Sequence, residues 1–168
     1  VASLVGSEMC IRDRIRAASD MRNEGYDILI MARTDANHTH GLSEAISRSQ
    51  KFYELGADIM FIEAPKNIEE MRTICKEVPG DKIANIVEGG ITPNLSMKEL
   101  SEIGYKLAVY PLTVMSSAMK AMTNSLNLLM KDEDRSGLLL DFSDLRQKIG
   151  FDDYYEISSK YETSKRSW

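Results

Sequence analysis

Residues 27–35, with the sequence DILIMARTD, decide the fold class of this chain. Apolar residues run without a break from Ile28 to Met31, and charge then appears in Arg33 and Asp35. A short, wholly apolar run is typical of a strand buried on both faces, as in a parallel sheet covered by helices. Charge just past the carboxyl end of such a strand lies where open α/β sheets and barrels hold their ligands.

Three stretches downstream repeat this pattern. They are Asp58–Ile62 before Glu63, Lys82–Val87 before Glu88, and Lys106–Tyr110 before Pro111. Helices are predicted at Leu42–Leu55, Ile68–Glu77, Met97–Ile103 and Val114–Met130. The strands start about 25–30 residues apart, the length of one βα unit in an eight-unit (β/α)8 barrel. The pattern therefore predicts an α/β fold of four βα units, half of a TIM-type barrel, with a C-terminal helical tail.

Capping residues predict where several elements begin and end. A first helix is expected from Arg14 to Gly25, and residues 36–41 are expected to form a loop. Ser43, Asn67 and Ser96 are the predicted N-caps of the three helices that follow.

The chain divides into three predicted parts. Residues 1–13 fit nothing that follows and resemble a translated sequencing adaptor, so we expect them to be a non-native scar. Residues 14–131 are the predicted half barrel, and residues 132–168 a helical tail whose tyrosines should pack on the barrel or on a neighbouring subunit. A half barrel has two open edges. We therefore expect either a fragment of a longer protein or two copies that close on each other.

Composition limits the classes of function. The chain has 168 residues, 43% hydrophobic and 28% charged, and a formal net charge of −5. These values predict a globular protein that binds neither nucleic acid nor a membrane surface. No signal peptide is visible, and Cys10 and Cys75 form neither a CxxC pair nor a zinc spacing. We expect a cytoplasmic protein.

Three polar residues are candidates for a binding site: Arg33 and Glu63 at predicted strand ends, and Asn85 inside the third predicted strand. The guanidinium of Arg33 suits a carboxylate or phosphoryl group, but a structural ion pair with Asp35 or Glu63 is an equal alternative. Glu63 could orient Arg33, bind substrate or bind metal-bound water, or it could form an inner salt bridge. Asn85 must find hydrogen-bond partners inside its strand, and it could donate to a carboxylate.

Other polar residues give weaker signals. Gly89 and Gly90, after Glu88, would allow a close approach to an anion, and a plain tight turn is about as good an interpretation. His38 and His40 are typical of surface residues. Hydroxyl groups past the fourth predicted strand could face an anion at a helix N-terminus; they belong to Thr113, Ser116 and Ser117.

A series of motifs resembles one family. It comprises ARTDA at 32–36, GLSEAI at 41–46, GAD at 56–58, IEAP at 62–65, ANIVEGG at 84–90, TP at 92–93, LSEIGYK at 100–106 and VYPLT at 109–113. Together they resemble the isocitrate lyase/phosphoenolpyruvate mutase superfamily. The branch with 2,3-dimethylmalate lyase, methylisocitrate lyase-like and carboxyphosphonoenolpyruvate phosphonomutase-like proteins is the most similar. The resemblance covers about residues 14–162 and implies the C-terminal half of a (β/α)8 barrel.

The resemblance implies roles for individual residues. Catalysis and substrate binding fall to Arg33 and Glu63, and further contacts to the substrate carboxylate fall to Asn85, Val87 and the turn Glu88-Gly89. The resemblance also implies Mg²⁺, which stabilises an enolate in this family. Its ligands are expected in an N-terminal half, so no metal ligand is expected here. A homo-oligomer, a tetramer in relatives, is implied through exchange of the C-terminal region.

Two departures narrow the implied substrate. Methylisocitrate lyases carry arginines where this chain has Ser116 and Phe142, which favours a smaller dicarboxylate over a tricarboxylate. We therefore expect the parent enzyme to be a Mg²⁺-dependent lyase that cleaves a carbon–carbon bond in a 2-hydroxy dicarboxylate, such as 2,3-dimethylmalate. The alternatives are a phosphonomutase, a phosphonopyruvate hydrolase or an oxaloacetate decarboxylase of the same superfamily, and a truncated half barrel without activity.

Overall fold

The computed structural model describes the backbone of residues 8–161 and the side chains of residues 12–161. Four parallel strands form a sheet in the order β1-β2-β3-β4. They are β1 (Met31–Thr34), β2 (Ile59–Ile62), β3 (Asp81–Asn85) and β4 (Leu107–Val109). Each strand pairs with the one before it in sequence, the order found in a section of a (β/α)8 barrel. The predicted parallel α/β architecture is confirmed.

Helices separate the strands, and two of them have the predicted bounds. Those two are α4 (Ile68–Glu77) and α5 (Met97–Ile103). The remaining α-helices are α1 (Glu8–Asn23), α2 (Ala36–Thr39), α3 (Leu42–Glu54), α6 (Thr113–Met130), α7 (Phe142–Ile149) and α8 (Phe151–Ser159). The chain forms two compact units, one ending at Ser116 and the other beginning at Ser117. The predicted parts 1–13, 14–131 and 132–168 stay predictions, and residues 1–7 lie outside the described residues.

The core lies on the helix side of the sheet. Ala32, Met60 and Ile62 point to that side and pack with α3 and α4, where Phe52 is 1% exposed. A second cluster continues the core toward α5; its buried members are Met71, Ala84, Ile86, Leu100 and Tyr105. Burial of these apolar side chains is the main force that holds the helices on the sheet.

The opposite face of the sheet is partly open. Ile59, Phe61 and Ile83 form a small buried cluster there, whereas Met31 and Leu107 on the outer strands are 47% and 43% exposed. The expectation that residues 28–31 form a strand buried on both faces is wrong. Pairing with β2 starts only at Met31, the strand extends to Thr34, and its residues alternate between exposed and buried.

The first helix is tied to the sheet by a polar contact. Arg22 donates from Nη1 to Oδ2 of Asp58 at 2.7 Å and from Nη2 to the carbonyl of Gly56 at 2.9 Å. The same Asp58 oxygen accepts from the backbone N–H of Ile30 at 2.8 Å. One carboxylate therefore joins α1, the segment before β1 and the segment before β2.

The N-cap predictions have different outcomes. Asn67 accepts from the backbone N–H of Glu70, and Ser96 forms a full capping box with Glu99, so these two are confirmed. Ser43 is not a cap, because the N-cap of α3 is Gly41, whose φ of 90° favours glycine. The predicted loop over residues 36–41 contains the short helix α2.

The second unit contains α7 and α8, joined at Gly150. Asp141 caps α7 through the backbone N–H groups of Ser143 and Asp144. Arg146 donates to Asp152 at 2.7 Å and lies 5.9 Å from the ring centroid of Tyr155. Among residues 8–161, no helix has the length and apolar character needed to cross a membrane.

Candidate carboxylate-binding site

Arg33, Glu63 and Asn85 lie together at the carboxyl ends of three neighbouring strands. Arg33 is in β1, Glu63 directly follows β2, and Asn85 is the last residue of β3. The register pairs Arg33 with Phe61 across β1 and β2, so residues 33, 61 and 63 share the face opposite the helices. The parallel register thus brings together side chains that are 22–52 positions apart in sequence.

Arg33 is held by two carboxylates and one aromatic ring. Its Nε donates to Oδ1 of Asp35 at 2.8 Å, and its Nη2 lies 3.4 Å from Oε2 of Glu63. Its central carbon lies 4.9 Å from the ring centroid of Phe61. Both ion pairs considered from the sequence therefore exist. They do not exclude ligand binding, because half of the Arg33 side chain is exposed and a guanidinium has five N–H donors.

The electrostatic surroundings keep Arg33 charged. The hydrogen bond to Asp35 raises the pKa of the guanidinium most, partial burial opposes this effect, and the negative charge of Glu63 raises the pKa further. A permanent positive charge at a strand end, half open to solvent, is suited to a carboxylate or phosphoryl group.

Glu63 lies between the other two members of the cluster. Asn85 Nδ2 donates to its Oε1 at 3.3 Å and approaches its Oε2 at 3.5 Å. The Glu63 side chain is 24% exposed. Its carboxylate therefore accepts from an amide on one side and faces a guanidinium on the other, which limits its movement without removing it from solvent.

The turn after β3 stands apart from this cluster. The backbone N–H of Gly90 donates to the carbonyl of Val87 at 2.8 Å, and Gly89 has a φ of 80°. Glu88 accepts from the hydroxyl of Thr113 at 2.6 Å, which lowers the pKa of its carboxyl. Among the described residues, no hydrogen bond or ion pair joins this turn to Arg33, Glu63 or Asn85. The geometry is that of a tight turn, and the predicted substrate contacts of Val87, Glu88 and Gly89 stay predictions.

The described residues do not fit a magnesium site. Among the described side chains, those of residues 12–161, no group of three or more His, Cys, Asp or Glu could hold a metal ion. The two carboxylates at the cluster, Asp35 and Glu63, already face Arg33. We assign no step of the chemistry of this chain to a metal.

Two contributors to the site were not singled out from the sequence. Phe61 lies under Arg33, and its place follows from alternation along β2, which puts residues 59, 61 and 63 on one face. Asn37 binds the loop after Glu63 through its side chain. No local pattern indicates that contact, because Asn37 and Ala64 are 27 positions apart.

Comparison with known proteins places this geometry in a family. Residues 5–130 match the family described as phosphoenolpyruvate phosphomutase. The chain belongs to the isocitrate lyase/phosphoenolpyruvate mutase superfamily. Superfamily members similar to it include 2,3-dimethylmalate lyase of Eubacterium barkeri, 38% identical over 96% of this chain and 58% of that protein. The chloroplastic carboxyvinyl-carboxyphosphonate phosphorylmutase of Arabidopsis thaliana is 31% identical over 92% of this chain and 47% of that protein.

A solved superfamily structure has the same fold. A crystal structure of 2,3-dimethylmalate lyase superposes with a TM-score of 0.81 at 28% identity, over 95% of this chain and 57% of that one. The chain thus spans about half the length of the curated relatives it matches.

Proposed function

We propose that this chain supplies the carboxylate-binding side of a carbon–carbon lyase active site. The observation that carries the proposal is the half-exposed guanidinium of Arg33, held by Asp35 and Glu63 at the strand ends. The similarity to 2,3-dimethylmalate lyase along 96% of this chain supports it. The proposed substrate is a 2-hydroxy dicarboxylate, and the products are a 2-oxo acid and a second carboxylate.

The three clustered residues have distinct proposed roles. Arg33 binds one substrate carboxylate through its remaining N–H groups, and Asp35 keeps the guanidinium oriented. Asn85 donates an N–H to the same carboxylate or to Glu63. Glu63 keeps Arg33 and Asn85 at a fixed spacing.

The reaction redistributes electrons within the substrate. The hydroxyl group loses its proton and becomes the carbonyl of the 2-oxo acid as the adjacent carbon–carbon bond breaks. The electron pair of that bond passes to the carbon next to the second carboxylate, which then takes up a proton. Negative charge develops on the second carboxylate and on the carbon next to it, so a fixed positive charge beside that carboxylate would stabilise the transition state.

Several parts of the proposal concern the whole enzyme. Dependence on Mg²⁺, which would stabilise an enolate, is proposed with its ligands outside the described residues. Homo-oligomeric assembly through residues 132–168 and a cytoplasmic location are proposed with it. Ser116 and Phe142, in place of arginines, favour a dicarboxylate over a tricarboxylate.

A second candidate function is chemistry at a phosphorus–carbon bond. Similarity to the Arabidopsis phosphorylmutase over 92% of this chain supports it. Arg33 would then bind a phosphonate or carboxylate group of the substrate. A gating loop of the Lys-Cys-Gly type upstream of this chain would favour the lyase over this alternative.

Enzyme assays separate the candidates. The gene would be expressed with its upstream region, and the protein assayed with Mg²⁺ and with EDTA on 2,3-dimethylmalate, methylisocitrate, oxaloacetate and phosphonopyruvate. The lyase proposal expects Mg²⁺-dependent release of a 2-oxo acid from 2,3-dimethylmalate. Turnover of phosphonopyruvate alone would reject it in favour of the second candidate. The 168-residue chain assayed by itself tests the expectation that it is inactive alone.

A further inference from the structure

The loop that carries Glu63 has a strained backbone. Ala64 follows Glu63 with a φ of 55°, and Pro65 comes next. A left-handed conformation is unfavourable for a residue other than glycine, because the Cβ atom then lies too close to the backbone. Such a conformation persists where surrounding contacts enforce it. The contacts around Ala64 therefore govern where the Glu63 carboxylate lies.

Asn37, in α2, provides a central contact of this kind. Its side chain is 1% exposed, and its Nδ2 donates to the carbonyl of Ala64 at 3.0 Å. The same nitrogen donates to Oε2 of Glu70 at 3.2 Å. That Glu70 oxygen also accepts from the backbone N–H of Lys66 at 2.8 Å. Asn37 and Glu70 together hold the backbone on both sides of Pro65.

The direction of the Asn37 amide follows from its partners. Both partners are acceptors, so the NH2 group and not the carbonyl faces them. Oδ1 is buried and has no hydrogen-bond partner among the described residues. A buried oxygen without a hydrogen-bond partner is destabilising, because it has lost its hydrogen bonds to water. The side chain of Asn37 donates to Ala64 and to Glu70, and both hydrogen bonds hold the loop after Glu63 in place.

We propose that Asn37 is a positioning residue for the Glu63 carboxylate. This inference rests on the proposed function, in which Glu63 keeps Arg33 and Asn85 at a fixed spacing. The short segment of residues 33–37 then controls the positions of both charged groups, the Arg33 guanidinium and the Glu63 carboxylate. Asp35 orients Arg33, and Asn37 fixes the loop that brings Glu63 within 3.4 Å of Arg33 and 3.3 Å of Asn85.

NMR spectroscopy of the 168-residue chain tests this proposal. The reporters are the side-chain amide signals of Asn85 and the Nε–H signal of Arg33. A Glu63→Ala variant defines the positions of these signals when the carboxylate is absent. In Asn37→Ala, the signals are expected to move from their wild-type positions toward those of Glu63→Ala, because the released loop withdraws the carboxylate.

A matched control separates positioning from a general loss of buried polarity. Ser49 is 0% exposed, and its hydroxyl has no hydrogen-bond partner among the described residues. Ser49→Ala is expected to leave the signals of Arg33 and Asn85 at their wild-type positions. Equal movement of these signals in Ser49→Ala and Asn37→Ala would contradict a specific role for Asn37.

A second variant keeps the test decisive if Asn37→Ala fails to fold. Glu70→Ala removes the acceptor for both Asn37 and Lys66 at a partly exposed position. It is expected to move the Asn85 signals in the same direction. Unmoved signals in every folded variant of Asn37 and Glu70 would overturn the proposal. Failure of the proposed function would instead appear as unchanged turnover when Arg33 is substituted in the complete enzyme, an outcome that these spectra do not depend on.

Discussion

The guanidinium of Arg33 lies across the ring of Phe61, with 4.9 Å between its central carbon and the ring centroid. The two residues are directly paired in the register of β1 and β2. Phe61 is 8% exposed, so its ring is a fixed base under a guanidinium that is half exposed. A cation over an aromatic face gains about 0.5–2 kcal/mol, more where water is excluded.

Replacing Phe61 by Leu should loosen Arg33. The variant keeps an apolar side chain but loses the ring, so we expect a free energy of unfolding lower by about 1 kcal/mol and a higher KM of the complete enzyme. Phe52→Leu is the matched control, because Phe52 is buried in the core on the helix side. It should reduce stability to a similar degree and leave KM unchanged. Urea denaturation and steady-state kinetics measure the two effects, and a KM increase in the control would count against the role of Phe61.

Replacing Arg33 by Lys tests whether charge alone is enough. Lysine keeps the positive charge but loses the planar fork that contacts Asp35 and Glu63 together, and such replacements at bidentate sites are not conservative. We expect kcat/KM of the complete enzyme on 2,3-dimethylmalate to fall about tenfold or more, the loss of one charge-assisted hydrogen bond.

The control for that variant is Arg72→Lys. Arg72 is exposed on α4 and pairs only with Glu69 at 4.0 Å among the contacts of the described residues. Its replacement should leave kcat/KM unchanged. Wild-type kinetics in Arg33→Lys would remove Arg33 from the binding site.

The capping box of α5 should contribute measurably to stability. Ser96 accepts from the backbone N–H of Glu99, and the Glu99 carboxylate accepts from the N–H of Ser96. Ser96→Ala should lower the free energy of unfolding by about 1 kcal/mol. Ser101→Ala, at an exposed position inside the same helix, should be neutral or slightly stabilising because alanine favours helix interiors. Equal losses in the two variants would show that the box is not the cause.

Alkaline pH should destabilise the first unit through Cys75. Burial raises the pKa of this thiol from 9.0 to about 11, and a nearby Lys82 opposes the shift. The pKa is higher in the folded state, so the contribution to stability is fully present below pH 9.0 and is lost as pH rises to about 11. Burial also raises the pKa of the Tyr105 hydroxyl, and this adds to the loss at higher pH.

Urea midpoints measured between pH 8 and pH 11 check this prediction. Wild type should lose more stability over that range than Cys75→Ala, which has no thiol to ionise. Parallel curves for the two proteins would contradict a role for the thiol in alkaline unfolding.

Local patterns in the sequence were sufficient for the order of the strands and of the longer helices, but not for the short helix α2. The apolar runs, the helical periods of α4 and α5, and the caps Asn67 and Ser96 all follow from interactions within a few residues of each other. Arg33 and Glu63 were found for the same reason, because each comes at the end of a strand pattern, and Asn85 was found as a polar residue inside a strand pattern. Local patterns failed at Ile28–Met31, where an apolar run precedes the strand, since pairing with β2 and not hydrophobicity sets the start of β1.

The contacts that give these residues their geometry come from the folded chain. Three contacts join residues from different strands and loops: the approach of Glu63 to Arg33, the ring of Phe61 beneath Arg33, and the hydrogen bond from Asn37 to Ala64. Such contacts depend on strand register and on where a loop is anchored, and neither is encoded within a window of neighbouring residues. The residue types in and after the strands could therefore be identified from the sequence. Their distances and partners depend on packing between segments that are far apart in the sequence.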